Sequence, residues 1–154
     1  MEVENAPAAL GRWLKLPARS DLQIAIVEQE IAEAERRYAV RLPTDFRACL
    51  MRVGPGIEEI WDDADNLWWP AGRLRNLPDE YEHGSTNPAV TCDAHEYIFF
   101  ADHMIWCWAW AICCGEGENR GKVAVIGTSG DAFVADSFSD FVVRYLHDPF
   151  SIMP

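Results

Sequence analysis

The chain has 154 residues, 49% of them apolar and 25% charged, with a formal net charge of -12. That balance is the one expected of a globular domain, and the length fits one domain able to bury about 68 to 70% of its unfolded surface without disulfides or metal. The acid excess argues against a nucleic-acid partner, whose phosphates need clustered Lys and Arg, and favours a cationic one.

The opening MEVENAPAAL lacks the basic and then apolar order of a signal peptide, so a cytoplasmic protein is expected. Every apolar run falls short of the roughly 20 residues of a membrane span. Cys49, Cys92, Cys107, Cys113 and Cys114 show no repeated CxxC spacing and read as reduced thiols. Residues 1–19, with Trp13, Leu14 and Leu16 between Pro7 and Pro17, read as an N-terminal arm on a single domain spanning 1–154.

The first strong signal is SDLQ, in which Ser20 can cap a helix and Gln23 can reach back to it. Ile24, Val27, Ile31, Ala34 and Tyr38 then recur in steps of three and four, one face of an amphipathic helix. A second helix is expected after Pro43, capped by Thr44, with Phe46, Cys49, Leu50 and Val53 on one face and Gly54-Pro55-Gly56 ending it. The segment from Ile57 to Asn87 is rich in acids, Trp, Pro and Gly, and predicts only short patches of structure.

The last third alternates in the manner of strands. Tyr97–Ala101 reads as a strand, Asp102 and His103 as a turn, and Ile105–Cys114 as the next strand. Gly115–Gly121 reads as a loop, Lys122–Ile126 and Phe133–Ala135 as strands, and SFSDFVVRYL as a helix capped by Ser137 that buries Phe138, Phe141, Val142 and Tyr145. In IWCWAWAICC, alternation puts Trp106, Trp108 and Trp110 on one face and Ile105, Cys107, Ala109, Ala111 and Cys113 on the other. Each large apolar side chain buried contributes roughly 1.5 to 3 kcal/mol, so this stretch is expected to be a central buried strand rather than a stacking ladder for a ligand. Its small face is expected to meet the helices, and its tryptophan face to lie under the middle segment.

Several motifs fail on their chemistry. Cys92 and His95 have the spacing of half a zinc site, but no second pair accompanies them. A cysteine nucleophile would need a specific His partner, and five Cys with four His single out none. Gly121-Lys122 lacks the Ser or Thr of a phosphate loop and precedes a strand. Paired carboxylates with Trp68 or Trp69 as a sugar platform would suit a carbohydrate-active enzyme, yet no pair stands out. No enzyme activity, metal or cofactor is therefore expected. The best functional candidate is the acidic, aromatic stretch Glu58, Glu59, Trp61, Asp62, Asp63, Asp65, Trp68 and Trp69, because interfaces favour aromatic anchors among charges that steer encounter.

The order of these signals resembles the SUKH superfamily, which includes a fungal cell-wall-assembly regulator family and bacterial immunity proteins of polymorphic toxin systems. The resemblance runs from Ser20 to Leu146 and is carried by AERRYAVRLPTDFRACLMRVGPG, LWWP, YIFFAD and DSFSDFVVRYL. Its most specific parts are the spacing from Glu35 to Leu42-Pro43, Asp45-Phe46, and Ser137-Phe138 with Phe141. Where the family commonly ends its first helix in Gly, this chain has Tyr38 and Ala39. The resemblance implies an α+β fold: a single mixed, mainly antiparallel β-sheet with helices packed mainly on one side. It also implies a non-catalytic protein that binds and neutralises a cognate toxin domain, and the charge points to a basic one such as a nuclease. The alternative is a regulatory or scaffold module with an endogenous partner.

Overall fold

The computed structural model describes residues 19–52 and 57–154. The proposed N-terminal arm, Val53 and the Gly54-Pro55-Gly56 stop lie outside the described residues.

Helix α1, Asp21–Tyr38, starts from the expected capping box: the Ser20 side chain accepts from the Gln23 N–H, and the Gln23 side chain accepts from the Ser20 N–H. Val27, Ile31, Ala34 and Tyr38 are buried along one face. The helix ends at Ala39, which takes the left-handed conformation (φ 53°, ψ 44°) where the family commonly places glycine. Helix α2, Thr44–Arg52, begins at Thr44 itself and buries Phe46, Cys49 and Leu50. A third long helix, Phe138–His147, is capped by Ser137 and buries Phe138, Phe141, Val142 and Tyr145, as the sequence predicts.

The strands are β1 Ile60–Trp61, β2 Asn66–Trp68, β3 Arg75–Asn76, β4 Tyr97–His103, β5 Trp108–Cys113, β6 Val123–Ile126 and β7 Ala132–Ala135. They form one sheet of order β1-β2-β4-β5-β6-β7, with β3 also paired to β4, and every pairing between these strands is antiparallel. In chain order, two one-turn helices, α3 Leu77–Glu80 and α4 Pro88–Thr91, precede β4, and the long C-terminal helix is α5.

The sheet separates two cores. Helices α1, α2 and α5 cover one face, meeting Trp68, Ile98, Phe100, Trp110, Ile112 and Val125. The other face carries Leu67, Trp69, Tyr97, Phe99, Ala109, Ala111 and Cys113, and is covered by Leu77 and Val90 from the middle segment. The tryptophan stretch is thus a buried strand only from Trp108 onward, and its faces are the reverse of the expectation. Trp110 packs under the helices with its indole N–H on the Ile152 carbonyl at 2.8 Å, while the alanines turn to the middle segment. The cause lies in the neighbouring strand. Tyr97 and Phe99 stand opposite Cys113 and Ala111, so the small residues of β5 leave the volume that these rings and Trp69 fill. A bulge between Phe99 and Ala101 then sends both Phe100 and Ala101 to the helix side.

The residues most specific to the family resemblance tie helices together. Glu35 accepts the Leu42 N–H at 2.8 Å and pairs with Arg47 at 3.3 Å, fixing the link from α1 to α2. Asp45 accepts the Ser139 N–H at 2.8 Å, and Phe46 packs on Phe138 with ring centroids 4.9 Å apart, fixing α2 against α5. Their roles are structural.

Candidate partner-binding surface

The acidic stretch folds into the β1–β2 hairpin, and one of its carboxylates builds the turn. Asp62 accepts from the N–H groups of Ala64 (2.8 Å) and Asn66 (2.9 Å), from the Asn66 amide (3.3 Å), from the Trp68 indole (2.9 Å) and from the Tyr145 hydroxyl. A short carboxylate that can meet backbone donors two and four residues ahead favours such a turn, and Asp65 completes it in the left-handed region (φ 62°). Asp62 therefore faces inward.

Trp68 and Trp69 are also interior. Consecutive residues of an extended chain point to opposite faces, and this sheet has a core on each. Trp68 lies with Phe100, Phe141 and Tyr145 on the helix side. Trp69 enters the second core, where its indole donates to Asp102 at 2.7 Å and Arg73 covers its ring at 4.0 Å. Neither leaves an indole face for a partner. Of the eight residues predicted, Glu58, Glu59, Trp61, Asp63 and Asp65 reach solvent. Trp61 is 54% exposed on the short edge strand β1, and Glu59 pairs with Arg73 at 2.9 Å.

Beside this hairpin stands a surface that the sequence reading missed. The Met104 N–H donates to the Asp65 carbonyl at 2.9 Å, joining the β4–β5 loop to the acidic turn. Met104, Ile105 and Trp106 all lie at positive φ (45°, 56° and 64°), and Met104 and Ile105 are 53% and 85% exposed. For a β-branched residue such as Ile105 this backbone is strained and needs outside support. Asp102 supplies it: this buried carboxylate accepts the Trp106 N–H at 2.9 Å with one oxygen while the other holds Trp69, and the Cys107 N–H closes onto the His103 carbonyl at 2.8 Å. Without Gly, Asn or Asp at 104–106, the loop reads as the start of a strand. The only signal available was the polar pair Asp102-His103 just ahead of it.

The remaining chemistry stays dispersed. Among the described residues no group of three or more His, Cys, Asp or Glu is placed to hold a metal ion. Burial pushes the Cys49 thiol up to about 12 and raises those of Cys113 and Cys114, so these three sit as neutral apolar groups. The loop at 115–121 is held by Arg120, which donates to the carbonyls of Cys114 at 2.8 Å and Arg41 at 3.0 Å. No helix among the described residues is long and apolar enough to cross a membrane.

No curated protein and no solved structure matches the chain. A family match covers residues 25–144, from the first turns of α1 to the last turn of α5, and so takes in the whole sheet with its three long helices. The chain therefore belongs to the SMI1 / KNR4 family (SUKH-1).

Proposed function

We propose that this protein is an immunity protein that binds a cognate, basic toxin domain, such as a nuclease, and blocks its working surface. The SUKH family includes immunity proteins of polymorphic toxin systems. The observation that carries the reading is the end of the sheet where exposed Met104 and Ile105 adjoin the acidic turn with Asp63 and Asp65, the turn that follows exposed Trp61 on β1. Exposed apolar side chains beside an acidic turn suit a partner of opposite sign, because charge accelerates encounter and desolvated apolar contacts slow release. Negative charge would also occupy the site where a nuclease attracts phosphate. The partner is a protein, and the reading needs no catalytic group.

Coexpression with a candidate basic toxin domain tests this reading. Rescue of growth together with co-purification is the expected result, and absence of both removes it. Capture of an endogenous protein with no toxin would instead favour a regulatory module. Neutralising Glu58, Asp63 and Asp65 together, with Asp62 left intact, should slow association and flatten its salt dependence. Unchanged kinetics at low salt would move the contact elsewhere.

A further inference from the structure

On the sheet face away from the long helices there is an open cleft of about 500 Å³ lined by Asp79, Glu80, Tyr81, Glu82, His83 and Trp106. Its aromatic wall is fixed. Tyr81 stacks on Trp106 with centroids 5.0 Å apart and planes 16° apart, and Trp106 meets Phe99 edge-on at 5.2 Å. Gly127 makes room for that indole, since a Cβ there would lie 3.2 Å from the Trp106 ring. The carboxylates differ in what they already hold. Asp79 accepts the Tyr38 hydroxyl at 2.8 Å, and Glu80 accepts the Trp106 indole N–H at 3.2 Å and lies 3.8 Å from Arg75. Glu82 is exposed and makes no hydrogen bond or ion pair among the described residues.

An aromatic surface bordered by an exposed carboxylate with no cation of its own is complementary to a flat cation. The protein builds the same combination internally: the Arg73 guanidinium lies over the Trp69 ring at 4.0 Å while donating to Glu59 at 2.9 Å. The geometry points to the cleft as a socket for a guanidinium, an arginine side chain of the basic protein partner, lying against the Tyr81–Trp106 stack and donating to Glu82. Arginine fits better than lysine because its planar fork can stack and bond at once, whereas an ammonium is a compact point charge. This assignment rests on the reading of a basic protein partner and adds a second contact region to it.

The test uses the full ¹⁵N-labelled chain and the pentapeptide Gly-Gly-Arg-Gly-Gly, with its citrulline counterpart as the neutral isostere, and follows the indole N–H signals. A saturable shift of the Trp106 signal with the arginine peptide alone is expected. Glu82→Gln and Tyr81→Leu should each weaken it roughly two- to five-fold, the scale of one exposed cation–π or charge contact. An equal response to citrulline, a response at Trp61 with Trp106 unmoved, or no response overturns the socket. The two readings fail separately. A toxin that co-purifies undiminished with Glu82→Gln and Tyr81→Leu variants removes the socket and keeps the immunity reading, whereas an arginine-specific Trp106 shift with no toxin captured keeps the socket and removes that reading.

Discussion

Replacing Asp62 by alanine separates the carboxylate that builds the acidic hairpin from those that face solvent. Five donor groups converge on it: two backbone N–H groups, the Asn66 amide, the Trp68 indole and the Tyr145 hydroxyl. Hydrogen bonds to a charged acceptor contribute about 1.5 to 3 kcal/mol each, and a buried donor left without an acceptor costs about 1 to 3 kcal/mol. The turn N–H groups recover part of this from water, but the Trp68 indole, on a residue 2% exposed, does not. A net loss of about 3 to 5 kcal/mol follows for Asp62→Ala. At about 2 to 4 °C per kcal/mol for a chain of this size, Tm should fall by roughly 6 to 20 °C. Asp63→Asn, one residue along and exposed, should stay within about 0.5 kcal/mol. Urea unfolding followed by tryptophan fluorescence measures both. An Asp62→Ala protein within 1 kcal/mol of the parent would refute the inward role of this carboxylate.

Two further outcomes follow from particular residues. Ala39→Gly should stabilise the protein by about 0.5 to 1 kcal/mol, because the left-handed conformation costs a non-glycine residue about 1 to 2 kcal/mol and the extra unfolded-state entropy of glycine offsets only part of that; a lower Tm would show that the terminus of α1 is not strained. Alkylation at pH 8 should modify only Cys92 and Cys107 in the native protein and all five thiols in urea, since those two are exposed whereas Cys49, Cys113 and Cys114 are buried out of reach of the reagent. Mass spectrometry showing more than two adducts on native protein would contradict the buried placement of those three.

What the sequence made legible was what short-range chemistry decides. The Ser20–Gln23 box, the spacing from Ile24 to Tyr38 and the Ser137 cap each act within a few residues, and those helices form as read. The faces of β5 could not be read in the same way, because the choice depends on which residues of β4 stand opposite, and the bulge at Phe99–Ala101 sets that register. The loop at 104–106 was hidden for a related reason: its left-handed backbone is imposed by Asp102 rather than by the residues that adopt it. For the candidate surface, the acidic stretch pointed to a place but could not sort its members. Asp62 and Asp63 are neighbours of identical chemistry, and only the positions of Trp68 and Tyr145 assign one to the interior and the other to solvent. The pair Trp68-Trp69 suggested one aromatic patch, whereas a sheet with two cores takes one indole on each side.

The support that Asp102 gives to the β4–β5 loop has a consequence for how the surface can change over generations. Because the backbone at 104–106 is held from beneath, by a side chain bonded at the same time to Trp69, the course of the loop does not depend on core packing by the side chains at positions 104 and 105. Those two positions point outward and contribute nothing to either core. Substitutions there leave both cores intact, whereas one at Asp102 would disturb the loop and the second core together.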